Sequence, residues 1–182
     1  MGHDATMIAL DSNTMTYWID AMGSVTGPPV DPCSAEKIAL ARIFLWMPDE
    51  SGFNFTPTVE AEYQAIRDRA KLDDHESWAL AFLSAVQPPP VPEAVEARTT
   101  ELTKLHRGKN DCRIVAECEL TEITTLLTCD PRLLKNLGAK ARGVQLYRPT
   151  EYWAQMSVEK GATPKLVPHQ TNPMSRCDWW HW

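Results

Sequence analysis

The chain has 182 residues, 43% of them apolar and 23% charged, the size and balance of one globular domain with a real core. No apolar run approaches the ~18 residues of a membrane span, and no charged start followed by an apolar stretch marks a secretory signal, so a cytoplasmic protein without a membrane partner is expected. The net charge of −6 speaks weakly against a nucleic-acid partner, yet residues 98–148 hold ten Lys/Arg against six Asp/Glu. That segment either faces phosphates or forms a solvated mixed-charge surface.

In chain order, the first element is a short strand at Met7 to Leu10 that runs into Asp11 and then a helix to about Met22. Residues 23–32 read as a loop. Ser34 caps a helix from Ala35 to about Trp46, with Glu36 in the first turn, where the helix dipole favours an acid. A second loop follows, and "FNFTPT" is extended. From Pro57 the spacing predicts a helix through Lys71, with Pro in its first turn. Asp73 or Asp74 then caps a helix over 75–86. "QPPPVPE" is a stiff spacer inside one domain. A helix over 93–106, a turn at "RGKN" and a helix from Asp111 to about Leu120 come next, with Asn110 as the expected cap. "ITTLLT" is β-branched and apolar, a buried strand. "PRLLKNLG" is a short helix stopped by Gly138, "GVQLY" a further strand, and "RPTEYW" a last turn or helix. Alternating strands and helices give an α/β protein with a central, mainly parallel sheet flanked by helices.

Two of the buried strands end in an aspartate, Asp11 and Asp130, each followed at once by a helix. In a parallel sheet all carboxyl ends share one edge, where ligands bind. Like charges placed together there need a cation or a proton. Asp111, with Ile114, Val115 and Cys118 three, four and seven residues on, falls on the apolar face of its helix at its start. Glu60 and Glu62 flank the stripe of Val59, Tyr63 and Ile66, and periodicity does not separate them. Oxygen donors with no convergent histidine or thiolate suit Mg²⁺ or Mn²⁺. His75 and His106 read as surface or capping residues, and His169, Cys177 and His181 are too isolated to be read as a zinc site. The five cysteines show no C-x-x-C and read as free thiols.

Four short elements in this order resemble the PIN domain, the metal-dependent ribonuclease fold of VapC-type toxins from toxin–antitoxin pairs. "LDSN" is similar to its opening D-[ST]-N element, "TVEAEY" to its glutamate segment, "NDCRIVAEC" to its D-x-x-I-x-A motif and "LLTCDPRL" to its T-x-D element. The resemblance implies a PIN-like three-layer fold over residues 1–153, with the proline-rich insert near 88–92, and a C-terminal, tryptophan-rich extension over 154–182. It implies hydrolysis of single-stranded RNA with Mg²⁺ or Mn²⁺ as cofactor. Asp11, Glu62, Asp111 and Asp130 would be the catalytic metal ligands, with Asn13 and Thr128 supporting them. Lys104, Arg107, Lys109 and Arg113 are the candidate RNA contacts. An antitoxin protein and a second copy of the chain are the candidate partners. The alternative is a non-catalytic PIN-like protein that binds RNA or a partner. A haloacid-dehalogenase phosphatase would need a second Asp where this chain has Asn13, and no G-x-S-x-G element supports a serine hydrolase.

Three tryptophans, Trp179, Trp180 and Trp182, stand in the last four residues. Indoles in water are an apolar hazard, so they are expected to pack, into a groove of this domain or against a partner. Pro164, Pro168 and Pro173 favour an extended strap.

Overall fold

The computed structural model describes residues 7–23, 34–47 and 52–182. The expected loop over 24–32, most of the loop before Phe53, and Cys33 lie outside the described residues. β1 (Ile8–Leu10), β2 (Phe53–Phe55), β3 (Leu83–Ala85), β4 (Thr125–Leu127) and β5 (Gln145–Tyr147) form one sheet in the order β3-β2-β1-β4-β5. Every pairing is parallel. The three inner strands are buried at every residue, as a sheet covered on both faces requires, whereas edge strand β3 is half-buried to exposed.

Eight α-helices flank the sheet among the described residues: α1 (Ser12–Met22), α2 (Ala35–Trp46), α3 (Pro57–Gln64), α4 (Arg69–Phe82), α5 (Pro92–Leu102), α6 (Lys109–Glu119), α7 (Pro131–Leu137) and α8 (Pro149–Gln155). The protein is therefore α/β with an all-parallel central sheet. The chain leaves β1 outward to β2 and β3, then returns to the other side of β1 with β4 and β5. This reversal between β1 and β4 opens a crevice at their carboxyl ends, where such sheets bind ligands. Asp11 and Asp130 follow those two strands.

The core centres on Trp18, fully buried, with Phe44, Phe53 and Trp78 at ring-centroid distances of 5.1, 5.6 and 5.4 Å. Two acids, one half-buried and one buried, are held by specific partners. Glu36 of α2 accepts hydrogen bonds from the Thr150 backbone N–H (3.0 Å) and hydroxyl (3.1 Å), which ties α2 to α8. Glu117 of α6, 2% exposed, accepts from the Thr58 N–H (3.1 Å) and hydroxyl (2.7 Å), which ties α6 to α3. Cys112, Cys118, Cys129 and Cys177 are free thiols. Burial pushes Cys112 and Cys129 up to about 11 and Cys118 further, so these three are packing groups, not nucleophiles.

Several element boundaries differ from the sequence expectation. The helix expected over 57–71 ends at Gln64, and Asp68 restarts the chain as α4 by accepting from the Lys71 N–H at 3.1 Å. Asp73 is therefore no cap but lies inside α4, paired with Arg69 one turn earlier at 2.9 Å. The helix expected to reach Val86 stops at Phe82, and Leu83–Ala85 joins the sheet as β3 instead. Ladder hydrogen bonds to β2 override the helical preference of this alanine- and leucine-rich stretch. α5 ends at Leu102, not near His106, and α6 starts at Lys109 after Gly108, so Asn110 is inside the helix and does not cap it.

His75 is also corrected: it is 2% exposed, a core residue of α4. Its Nδ1 faces the Lys71 carbonyl at 2.8 Å and its Nε2 faces the Thr16 hydroxyl at 3.0 Å. Burial lowers its pKa, helped by the Lys71 charge and opposed by the bond to the Lys71 carbonyl and by Asp20 and Asp74. The folded protein thus prefers neutral His75, while the unfolded chain takes up a proton below about pH 6.5. Stability from this residue is present above that pH and falls as pH drops toward the folded value. His75→Gln is expected to flatten the stability–pH curve below about pH 6.5 in chemical denaturation at stepped pH. An unchanged slope would show that His75 titrates alike in both states.

Candidate metal centre at the β1–β4 crevice

Asp11 caps α1, accepting from the Thr14 N–H at 2.7 Å, and is only 5% exposed. Burial raises its pKa; the Thr128 hydroxyl, the Thr14 N–H and the Thr14 hydroxyl oppose that shift, and the charge of Asp111 adds to it. Thr128 is fully buried at the end of β4, and its hydroxyl also accepts from the Asp130 N–H at 3.0 Å. One hydroxyl thereby lies against both strand-end aspartates. Thr14 plays a matching part, since its hydroxyl accepts from the Cys129 N–H at 3.0 Å. Asp130 caps α7, accepting from the Arg132 N–H (2.7 Å) and the Leu133 N–H (3.4 Å).

Asp111 and Asp130 meet a third group. Their carboxylate oxygens and a ring nitrogen of His106 all lie within 4.8 Å of one another, the one such cluster of three or more possible ligands among the described residues. His106 is 7% exposed. Its Nε2 is 2.9 Å from Asp111 Oδ2, and Asn136 Nδ2 lies 3.2 Å from its Nδ1. The expectation that His106 is a surface residue, and that no histidine converges with the acids, is overturned. The turn between α5 and α6 brings it in, and Cys112 Sγ pins its carbonyl at 3.4 Å. Gly108 makes the approach possible: a Cβ there would stand 2.0 Å from Asp111 Oδ2 and 2.9 Å from His106 Nε2. Any side chain larger than glycine's would fill the space between the donors.

The cluster opens into a cleft of about 390 Å³, lined further by Leu105, Arg107, Arg132 and Asn136. Two carboxylates and an imidazole form a donor set that fits a divalent cation, and the buried Asp11, which feels the Asp111 charge, adds a further acid nearby.

The other sequence candidates sit around this cluster. Glu62 lies outside it: its two carboxylate oxygens accept from the Ser12 hydroxyl and the Asn110 amide. Those donors are the chain neighbours of Asp11 and Asp111, so Glu62 borders the same edge from α3. It lines a second groove of about 480 Å³, shared with Thr58, Asn110, Arg113 and Glu117. Glu60 accepts from Gln64 one turn on at 3.3 Å. Asn13 is exposed on the first turn of α1. Of the basic candidates, Arg107 lines the cleft and Lys104 is exposed. Lys109 and Arg113 pair with Glu96 at 3.5 and 3.0 Å, which partly neutralises them. Arg132, Asn136, Ser12 and Thr14 were not singled out from the sequence. "DSNT" offered Ser12 and Thr14 as hydroxyls beside the first aspartate, and "LHRGKND" offered a histidine and a glycine ahead of the third.

No protein-family model matches the chain, and no curated protein matches it. Among solved structures, it is similar to the crystal structure of VapBC2 from Rickettsia felis bound to a DNA fragment from their promoter. The identity is 14% and the TM-score 0.48, over 79% of this chain and 98% of that one.

Proposed function

We propose that the protein is a divalent-metal-dependent endoribonuclease of the PIN type, acting on single-stranded RNA as the toxin of a toxin–antitoxin pair. The observation that carries this reading is the convergence of Asp111 and Asp130, with the buried Asp11 close enough to feel the Asp111 charge, at the crevice where the sheet order reverses. Asp111 and Asp130 would hold the cation, with Mg²⁺ or Mn²⁺ as the ions to test. A bound cation supplies an activated water and offsets charge on the phosphoryl oxygens.

The chain's own groups do the rest. Arg107 and Arg132 line the cleft and attract backbone phosphates. Single-stranded RNA bends into a cleft of this size more readily than a duplex. The Thr128 and Thr14 hydroxyls orient Asp11 and the backbone that carries Asp130. Glu62, fixed by Ser12 and Asn110, adds negative charge at the rim. An antitoxin protein, a second copy of the chain and a cytoplasmic location belong to the same proposal and rest on the motif resemblance.

A labelled single-stranded RNA tests the reading. Cleavage is expected with Mg²⁺ or Mn²⁺, to vanish on thorough chelation and to return when the ion is restored. Undiminished cleavage in chelator overturns it. The placement of Glu62 outside the cluster favours a second reading, a non-catalytic RNA or partner binder. RNA binding without cleavage in excess Mg²⁺ and Mn²⁺ would select that one.

A further inference from the structure

His106 differs from the core histidine His75 in where its free edge points. His75 turns both nitrogens to neutral protein groups, a carbonyl and a hydroxyl. His106 turns Nε2 toward Asp111 Oδ2 and into the cleft that Asp130 also lines, and anchors the opposite nitrogen on Asn136. Gly108 leaves the space beside both donors clear.

We propose that His106 is itself a ligand of the cation, and that its imidazole makes the site select a first-row transition ion such as Mn²⁺ over Mg²⁺. The inference rests on the metal-dependent reading of the cleft and deepens it. Three features carry it. The Nε2–Oδ2 separation of 2.9 Å suits two donors on one edge of a six-coordinate shell, where ligands at about 2.1 Å stand about 3 Å apart. Second, the ring is fixed through its other nitrogen, as ligating histidines are. With the ring proton on Nδ1, the Asn136 side chain accepts it through its amide oxygen after a half-turn of the amide. Third, imidazole is a good donor for transition ions and a poor one for Mg²⁺, which favours oxygen ligands and retains its waters.

The test uses Mn²⁺ alone as the probe on the full chain, read by pulsed electron paramagnetic resonance instead of cleavage. Protein grown with ¹⁵N-histidine is compared with protein at natural abundance. Bound Mn²⁺ is expected to show nitrogen hyperfine coupling that changes with the histidine label and is lost in His106→Gln. In Mg²⁺ competition against bound Mn²⁺, the preference for Mn²⁺ is expected to fall by about tenfold or more in that variant. Mn²⁺ that binds without histidine coupling overturns the ligand role of His106 and leaves the metal-dependent reading intact. Coupling that persists in folded His106→Gln assigns it to another histidine and likewise overturns the proposal. Failure of the wild-type chain to bind Mn²⁺ overturns both. If His106→Gln does not fold, a chain carrying His3→Gln, His169→Gln and His181→Gln must keep the coupling, since both ring nitrogens of His75 are engaged by Lys71 and Thr16. Loss of the coupling there overturns the proposal.

Discussion

Asp111→Asn and Asp130→Asn are expected to lower RNA cleavage by more than about a hundredfold, beyond the roughly 10- to 100-fold typical of losing a group that merely supports a ligand. Each exchange keeps the shape of the side chain and removes the charge that faces the cation. Asp130 also caps α7 through Oδ1, and asparagine caps a helix about as well, so folding is expected to survive. Asp11→Asn is expected to lose cleavage too, with a second signature in chelator-treated protein. Burial, and then the nearby Asp111 charge, raise the Asp11 pKa despite its bonds to Thr128 and Thr14. The folded state thus prefers the protonated carboxyl, and the stability tied to it is lost as pH rises through the folded value. The neutral amide avoids that loss, so Asp11→Asn should melt higher than wild type at pH 7, and the gap should close in acid. A lower melting temperature at pH 7 would count against a crowded carboxylate site. Among the glutamates, Glu62→Gln is expected to impair cleavage and Glu60→Gln to change it little, because only Glu62 reaches the neighbours of Asp11 and Asp111. The opposite result would place the functional glutamate two residues earlier.

The two strand-end aspartates were legible because β1 and β4 are inner strands. Burial on both faces forces an unbroken apolar run, and a polar residue that ends such a run stands out. β3 was not legible. Its Leu-Ser-Ala carries no β-branched residue, and it is a strand only because β2, some thirty residues earlier, offers it a ladder. His106 was hidden for a related reason. Asn136, which fixes its ring, lies thirty residues downstream, and the helix expected through 93–106 would have hidden the turn that swings it inward. Lys109 and Arg113 looked free for phosphates because Glu96, their partner, belongs to the preceding helix. What the sequence conveyed was local periodicity. The pairings that fix the charge and chemistry of the cleft span turns and whole helices.

Deletion of residues 176–182 is expected to lower the melting temperature by about 10 °C while the mass in solution stays the same. α2 explains why. Seven of its residues, Ala39, Leu40, Ala41, Ile43, Phe44, Leu45 and Trp46, are buried on several sides, a pattern that a helix covered only from the sheet side would not require. The C-terminal strap supplies the further cover. Lys165 and Leu166 donate to the Leu45 carbonyl, and Trp46 Nε1 donates to Ala162 at 3.2 Å. Trp180 is 4% exposed, packs on Trp46 at 6.2 Å and donates to Met174 at 3.0 Å. Trp182 meets Trp153 edge-on at 5.4 Å. Arg42, one turn before Trp46, fastens the end by donating to the carbonyls of Trp179, Trp180 and His181 at 3.1, 3.3 and 2.7 Å. Its guanidinium also stands 4.8 Å over the Trp182 ring. Losing one buried tryptophan costs about 3–5 kcal/mol, and each kcal/mol moves the melting point of a chain this long by about 2–4 °C. Trp180→Ala alone should therefore give most of the effect. Arg42→Met, which keeps an apolar stem and removes the donors, should give a smaller loss of the same sign. If deletion instead changes the oligomeric state and leaves the melting temperature alone, the tryptophans anchor a partner and the strap is not part of the domain's core.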